Sequence, residues 1–294
     1  MPTAARTGTT TTKTITTPEA RDRPTLDQGL IVFAYEFMRN AYAAAGIVAV
    51  VAAMVGYFLV LRGQTFAGHA LSHVGFSGAA GAALIGLAPL QGMLAAALAG
   101  GVCIGLLGEK LAQRDVAIGI ALSFSLGLGL LFLHFYTSNA TQTTALLFGN
   151  VLAVSAHRVH VLLWLGLACL AGLALISRPL LFASLQPELA QAKGVSLRLY
   201  ASLFMAVAAL ATVLSTQVVG VLLVFSLMVG PPAAAQRLTH RVGSGLALSA
   251  ALALASAWLG IALAYWTDWP CSFWITTLSC VAYLAATVRR RPAP

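Results

Sequence analysis

The chain has 294 residues, 59% of them hydrophobic and 9% charged, and its mean hydropathy of +0.88 excludes an ordinary soluble globule. Its net charge of +9 comes from Lys and Arg at the ends of apolar runs, not along one face, so it reads as membrane topology and not as a nucleic-acid footprint. Cys103, Cys169, Cys271 and Cys280 lie scattered without C-x-x-C spacing, which fits buried small hydrophobes better than a disulfide frame or a zinc knuckle.

In chain order, residues 1–29 are Thr-rich, carry scattered charges from Arg6 to Asp27 and hold no apolar stretch that would serve as a signal core. A disordered tail is expected there, followed by a transmembrane domain over 30–290 and a cytoplasmic tail over 291–294. Long apolar runs without a period of two exclude a strand barrel. A bilayer core takes about 20 apolar residues. The runs therefore predict an all-α, polytopic membrane helical bundle of about nine spans: 42–61, 67–87, 91–108, 116–136, 159–177, 196–213, 216–235, 243–265 and 270–288.

The basic residues Lys110, Arg114, Arg178, Lys193, Arg198, Arg237, Arg241 and Arg289 to Arg291 predict which loops face the cytoplasm. An odd number of spans then places the N-terminus outside, against the preference of Arg6, Lys13, Arg21, Arg23 and Arg39. Tyr265, Trp266, Trp269 and Trp274 around Asp268 and Pro270 fit an outer aromatic belt. Gly78, Gly81, Gly86, Gly100, Gly101 and Gly105 read as close-packing positions in a crowded bundle.

Residues 62–78 carry the strongest functional signal. Gly63 to Ala70 matches the opening of a P-loop, but His69 and Ala70 stand where its Lys and Ser/Thr belong, so nucleotide binding is not expected. His69 and His73, four residues apart, project from one helical face, as two ligands of one divalent ion would. Ionisable residues at membrane depth are costly and mark functional sites. The pair alone leaves a second reading open, in which each imidazole bonds a carbonyl or Ser72. No general base stands beside the pair as in H-E-x-x-H, so hydrolysis is not suggested. Ser72 and Ser77 are further candidates for a pore lining. Gly63, Gly68, Gly75 and Gly78 punctuate the segment, as in a broken helix on a pathway.

Three later units complete the pattern. Residues 144–155, beside Asn139, Thr141 and Gln142, are too short to cross and read as re-entrant or interfacial. Ser184 to Val195 reads as a short cytoplasmic helix begun by Pro187 and closed by Gly194. Gly230-Pro231-Pro232 is expected to stop a membrane helix, with a short basic helical run over Ala233 to Thr239 lying on the cytoplasmic surface.

Together these units resemble the membrane permease of the zinc, manganese and iron ABC uptake systems. Arg62 followed by Gly68-His69-Ala70-Leu71-Ser72-His73 resembles that family's Arg and G-D-A-x-S-H. Asp115 to Ile120 resembles D-x-A-I-G-I, and Leu147 to Val154 is similar to L-F-G-x-I-L-A-V. Pro187 to Val195 and Val219 to Arg237 are similar to two further family stretches, in the expected order. The resemblance implies an ABC metal-importer permease fold and a second permease copy. It also implies two cytoplasmic ATPase subunits that use the ATP, and an extracytoplasmic metal-binding protein that delivers the ion. It implies that His73 matches the family's metal-binding His, while His69 stands where the family has Asp. It further implies that Pro231, Pro232, Gln236, Arg237 and Thr239 form the ATPase-coupling segment.

The expected function is a permease subunit moving divalent transition-metal ions, zinc preferred and manganese or iron possible, with His69 and His73 as transient ligands. No permanent cofactor, no enzymatic activity and no nucleic-acid partner are expected. Replacing carboxylate oxygen by imidazole nitrogen shifts ligand preference from manganese toward zinc. Protonation near the reference His pKa of about 6.5 would compete with the metal. The alternatives are a permease for a metal chelate, such as a siderophore or cobalamin, and an ATP-independent metal transporter.

Overall fold

The computed structural model describes residues 35–106, 111–135, 149 and 151–289. The Thr-rich tail, Lys110, Asn139, Thr141, Gln142, residues 144–148, Asn150 and residues 290–294 lie outside these, and so do the expectations placed on them. The described residues are helical and include no strand. Nine long helices match the nine predicted spans one for one: α1 Glu36–Leu61, α2 Thr65–Leu84, α3 Pro89–Leu106, α4 Leu111–Phe135, α5 Ala156–Leu185, α7 Leu197–Val219, α8 Val221–Leu238, α9 Val242–Thr267 and α10 Cys271–Arg289. A short helix, α6 Pro187–Ala192, sits between α5 and α7. Hydrocarbon offers no water to the backbone, so each segment pairs its polar groups internally.

Among the described residues, seven helices are long and apolar enough to cross a membrane by length and composition. α2 is diluted by Gly, Ser and His, and it packs against α8.

The core forms around α1, which packs against α5, α7, α8 and α9. Its Ala44, Val48, Ala49, Ala52 and Ala53 are fully buried, and their small side chains let neighbouring backbones approach. Ser249 of α9 donates to the Ala53 carbonyl at 3.2 Å, and the indole of Trp258 donates to the Tyr42 carbonyl at 3.1 Å. The glycines at 78, 101 and 105 are true crossing points. A Cβ at Gly78 would strike the Gly92 carbonyl of α3, and one at Gly92 would strike the Gly78 carbonyl in return. At Gly101 and Gly105 it would strike the α7 backbone at Met205 and Ser202.

Two helices run further than the sequence suggests. The predicted span 159–177 extends through Pro179 to Leu185. The expected stop at Gly230-Pro231-Pro232 does not occur, and α8 is one helix through both prolines to Leu238. Pro231 and Pro232 carry no N–H for the carbonyls of Leu227 and Met228. Close neighbours hold the helix instead: the Met228 carbonyl faces Gly56 of α1, where a Cβ would collide with it, and Gly230 lies against Ser279 of α10.

The α6 unit follows its predicted signals. Pro187 opens it, and Gly194, at φ 78°, closes it. Val195 N–H bonds to the Ala190 carbonyl and Gly194 N–H to the Gln191 carbonyl, both at 2.9 Å, which together form a Schellman ending. Ala183, Ala190 and Leu197, with Phe182 and Val195, make a small separate core that fixes α6 to the bundle.

Gly56→Ala places a methyl against the Met228 carbonyl and should destabilise the chain by about 1–3 kcal/mol. Gly127→Ala, whose Cβ meets nothing within 4 Å, should be neutral or stabilising by up to about 1 kcal/mol. Thermal unfolding of both variants in detergent checks the contrast, and equal midpoints would contradict the packing described.

Candidate metal site on α2

The turn between α1 and α2 is built by Gly63, at φ 62°, which glycine adopts without penalty. Arg62 is anchored there: it donates to Ser184 Oγ of α5 at 2.6 Å and to Gln64 Oε1 at 3.3 Å, and its guanidinium lies 5.8 Å from the Phe204 ring centroid. This fixes the start of α2, and hence the azimuth of the side chains that follow.

His69 and His73 stand one turn apart on the same face of α2, as their spacing predicts. Their ring centroids are 4.9 Å apart, with planes at 85°. His73 is 7% exposed and His69 is half-buried. The Nδ1 atoms of both rings are buried without a hydrogen-bond partner. The second reading of the pair, imidazoles bonded to carbonyls or to Ser72, therefore does not describe these nitrogens. An unpaired polar atom in a bundle interior costs about 1–3 kcal/mol, and two adjacent ones make a candidate site for a cation. The donors are neutral nitrogens, which suit zinc and other borderline ions better than hard ones. No cluster of three or more His, Cys, Asp or Glu occurs among the described residues. Two imidazoles are thus what this part of the chain offers, and water or a second molecule must complete the shell.

Ser72 and Ser77 are both buried beside the pair. Their hydroxyls serve the backbone: Ser72 Oγ donates to the His69 carbonyl at 2.7 Å, and Ser77 Oγ reaches the His73 carbonyl at 3.0 Å and the Ser125 carbonyl of α4. The hydroxyl at Ser77 has one proton to give, so it alternates between the two or shares it. It ties the helix bearing the imidazoles to α4.

The segment from Pro231 to Thr239 lies apart from the imidazoles and is not a free surface helix. Pro231 and Pro232 are buried within α8. Gln236 Nε2 donates to the Tyr57 carbonyl at 2.7 Å, and Arg237 Nη2 donates to the Tyr283 hydroxyl at 2.8 Å with its guanidinium 4.9 Å from that ring. Thr239 Oγ1 pairs with Ser244 Oγ at 2.8 Å. These bonds knit the end of α8 to α1, α10 and α9. In α6, by contrast, every residue except Ala190 is exposed, including Leu189 at 46%.

Two further features were not marked in the sequence. Phe225 of α8 and Phe66 of α2 flank His69, with ring centroids 5.2 Å and 6.3 Å from it. At the opposite end of the bundle, a cavity of about 470 Å³ opens between the starts of α3 and α5 and the end of α7, lined in part by Leu90, His157, Arg158 and Gln217.

Residues 34–290 match the family model described as the ABC 3 transport family. The manganese transport system membrane protein MntC of Halalkalibacterium halodurans is 32% identical over 231 residues, 78% of this chain and 79% of the relative. The manganese import system permease protein ScaB of Streptococcus parasanguinis is 31% identical over 232 residues, 79% of this chain and 82% of the relative. Among solved structures, PsaBC from Streptococcus pneumoniae in complex with Fab superposes with a TM-score of 0.81 at 27% identity, over 92% of this chain and 97% of that one.

Proposed function

The chain belongs to the ABC 3 transport family, and from that membership we propose that it is the permease of an ATP-driven importer of divalent transition-metal ions, with zinc preferred, in the cytoplasmic membrane. One observation carries the cargo reading: two imidazoles on one face of α2 with buried, unpaired Nδ1 atoms. An imported ion must bind strongly enough to leave water and weakly enough to move on. Two neutral imidazoles with water supply such an intermediate grip, because neither brings the charge of a carboxylate or thiolate. The relatives are named for manganese, and PsaBC shares the fold. Zinc is favoured here over manganese because both donors are nitrogen.

ATP is hydrolysed on separate cytoplasmic subunits, a second permease copy completes the pathway, and an extracytoplasmic binding protein delivers the ion. The docking element for the ATPase is assigned to α6, with the end of α8 behind it. Three features support this. Its surface is free, its ends are fixed by Pro187 and the Gly194 turn, and Lys193 and Arg198 beside it belong to the cytoplasmic side by the positive-inside rule. Motion there reaches the imidazoles through Ser184, which follows Ala183 of the small core holding α6 and bonds Arg62 at the root of α2.

Proteoliposomes holding the permease, its ATPase and its delivery protein should take up zinc faster than manganese or iron, and only with hydrolysable ATP. The double variant His69→Ala, His73→Ala should lose uptake at least about tenfold while assembling normally. Parental uptake by that variant would end the ligand assignment. Faster manganese than zinc in the parent would overturn the zinc preference and leave the transition-metal reading standing. A separate expectation concerns α6: Leu189→Asp should abolish co-purification of the ATPase while the thermal midpoint of the permease stays within about 0.5 kcal/mol in stability terms. Retained co-purification would return the docking role to Pro231 to Thr239.

A further inference from the structure

His69 is walled by rings from two helices. Phe225 of α8 stands edge to face with the imidazole, with planes 63° apart, and Phe66 lies one turn earlier in α2. His73 closes a third side. Phe225 and Phe66 are 36% and 42% exposed, so both rings stand at the rim of the site and not inside the packed core. No third ligating side chain joins the pair among the described residues. The other ligands of an ion held there must therefore fit into the space these rings leave.

We infer that Phe225 is a specificity-determining residue for the transported ion: its ring fills the space that extra water ligands need, so the site accepts a four-coordinate ion more readily than a six-coordinate one. The inference rests on the permease reading above. Zinc is satisfied by four ligands in a tetrahedron, whereas manganese takes an octahedral shell rich in oxygen and would carry more water into the site. A benzene ring offers such water no acceptor, so each water forced against it loses a hydrogen bond.

The backbone under the ring is held on both sides, so crowding is a fixed property of the site. Gly220, at φ 81°, makes the sharp entry to α8 five residues earlier. Met228, three residues later, has its carbonyl against Gly56 and its sulfur 3.7 Å from Thr212 Oγ1 of α7.

The test uses the full-length permease in lipid nanodiscs, equilibrated with equal concentrations of zinc and manganese, with bound metals counted by mass spectrometry. Phe225→Ala should lower the bound zinc-to-manganese ratio about tenfold, and Phe225→Leu should lower it less. Phe273→Ala, in the aromatic cluster with Trp269 and Trp274, should leave the ratio as in the parent. A ratio is insensitive to partial loss of folded protein. An unchanged ratio in Phe225→Ala, or an equal fall in Phe273→Ala, overturns the inference. If His69→Ala instead binds both metals as the parent does, the imidazole site itself falls, and the inference with it; a parent that loads zinc through His69 with no effect at Phe225 removes the inference alone.

Discussion

Where the helices of this bundle pack together, a polar group has to find its partner within the protein, and most of the architecture answers to that constraint. Helices approach until backbone meets backbone, through reciprocal glycines at Gly78 and Gly92 and through Gly56 against the Met228 carbonyl. Hydroxyls on α7 fold back onto their own helix, with Thr212, Ser215 and Thr216 donating to carbonyls four residues earlier at 2.7, 2.7 and 2.8 Å. Against that background of paired groups, the Nδ1 atoms of His69 and His73 stand out as buried and without a hydrogen-bond partner.

The same constraint explains why α8 is continuous. Two consecutive prolines in a soluble helix would free two carbonyls to water and end it. Here tight neighbours occupy the space around them, so the helix passes through and carries Phe225 to His69 at one end and Arg237 to Tyr283 at the other. A helix that lacks two of its own hydrogen bonds in the middle is a natural place for two ends to shift relative to each other. Between the α6 end of the bundle and the imidazoles there are thus two physical routes: α8 itself, and the Ser184 to Arg62 bond at the root of α2.

The sequence predicted the fold well because its signals were long apolar runs separated by charges, and each run became a helix. The imidazole pair was equally plain, since i and i+4 spacing fixes a shared face whatever the tertiary context. Proline was the misleading signal at Pro231 and Pro232, because its effect depends on what packs against the freed carbonyl, and that partner comes from another helix. Phe225 was hidden for a related reason: it lies 156 positions from His69 in sequence, and nothing local to Val224-Phe225-Ser226 points across to α2. The exposure of α6 followed its Pro and Gly punctuation, whereas its candidacy as the docking element emerged only when the end of α8 proved to be bonded into the bundle.

We propose that His69 and His73 bind the ion together. X-ray absorption at the zinc edge of the metal-loaded, full-length permease in nanodiscs tests it most directly. Two imidazole nitrogens at about 2.0–2.1 Å are expected, with light-atom ligands completing a four-coordinate shell and one imidazole lost in either single alanine variant. A shell of oxygen alone, or one that keeps both imidazoles when His73 is removed, would contradict it.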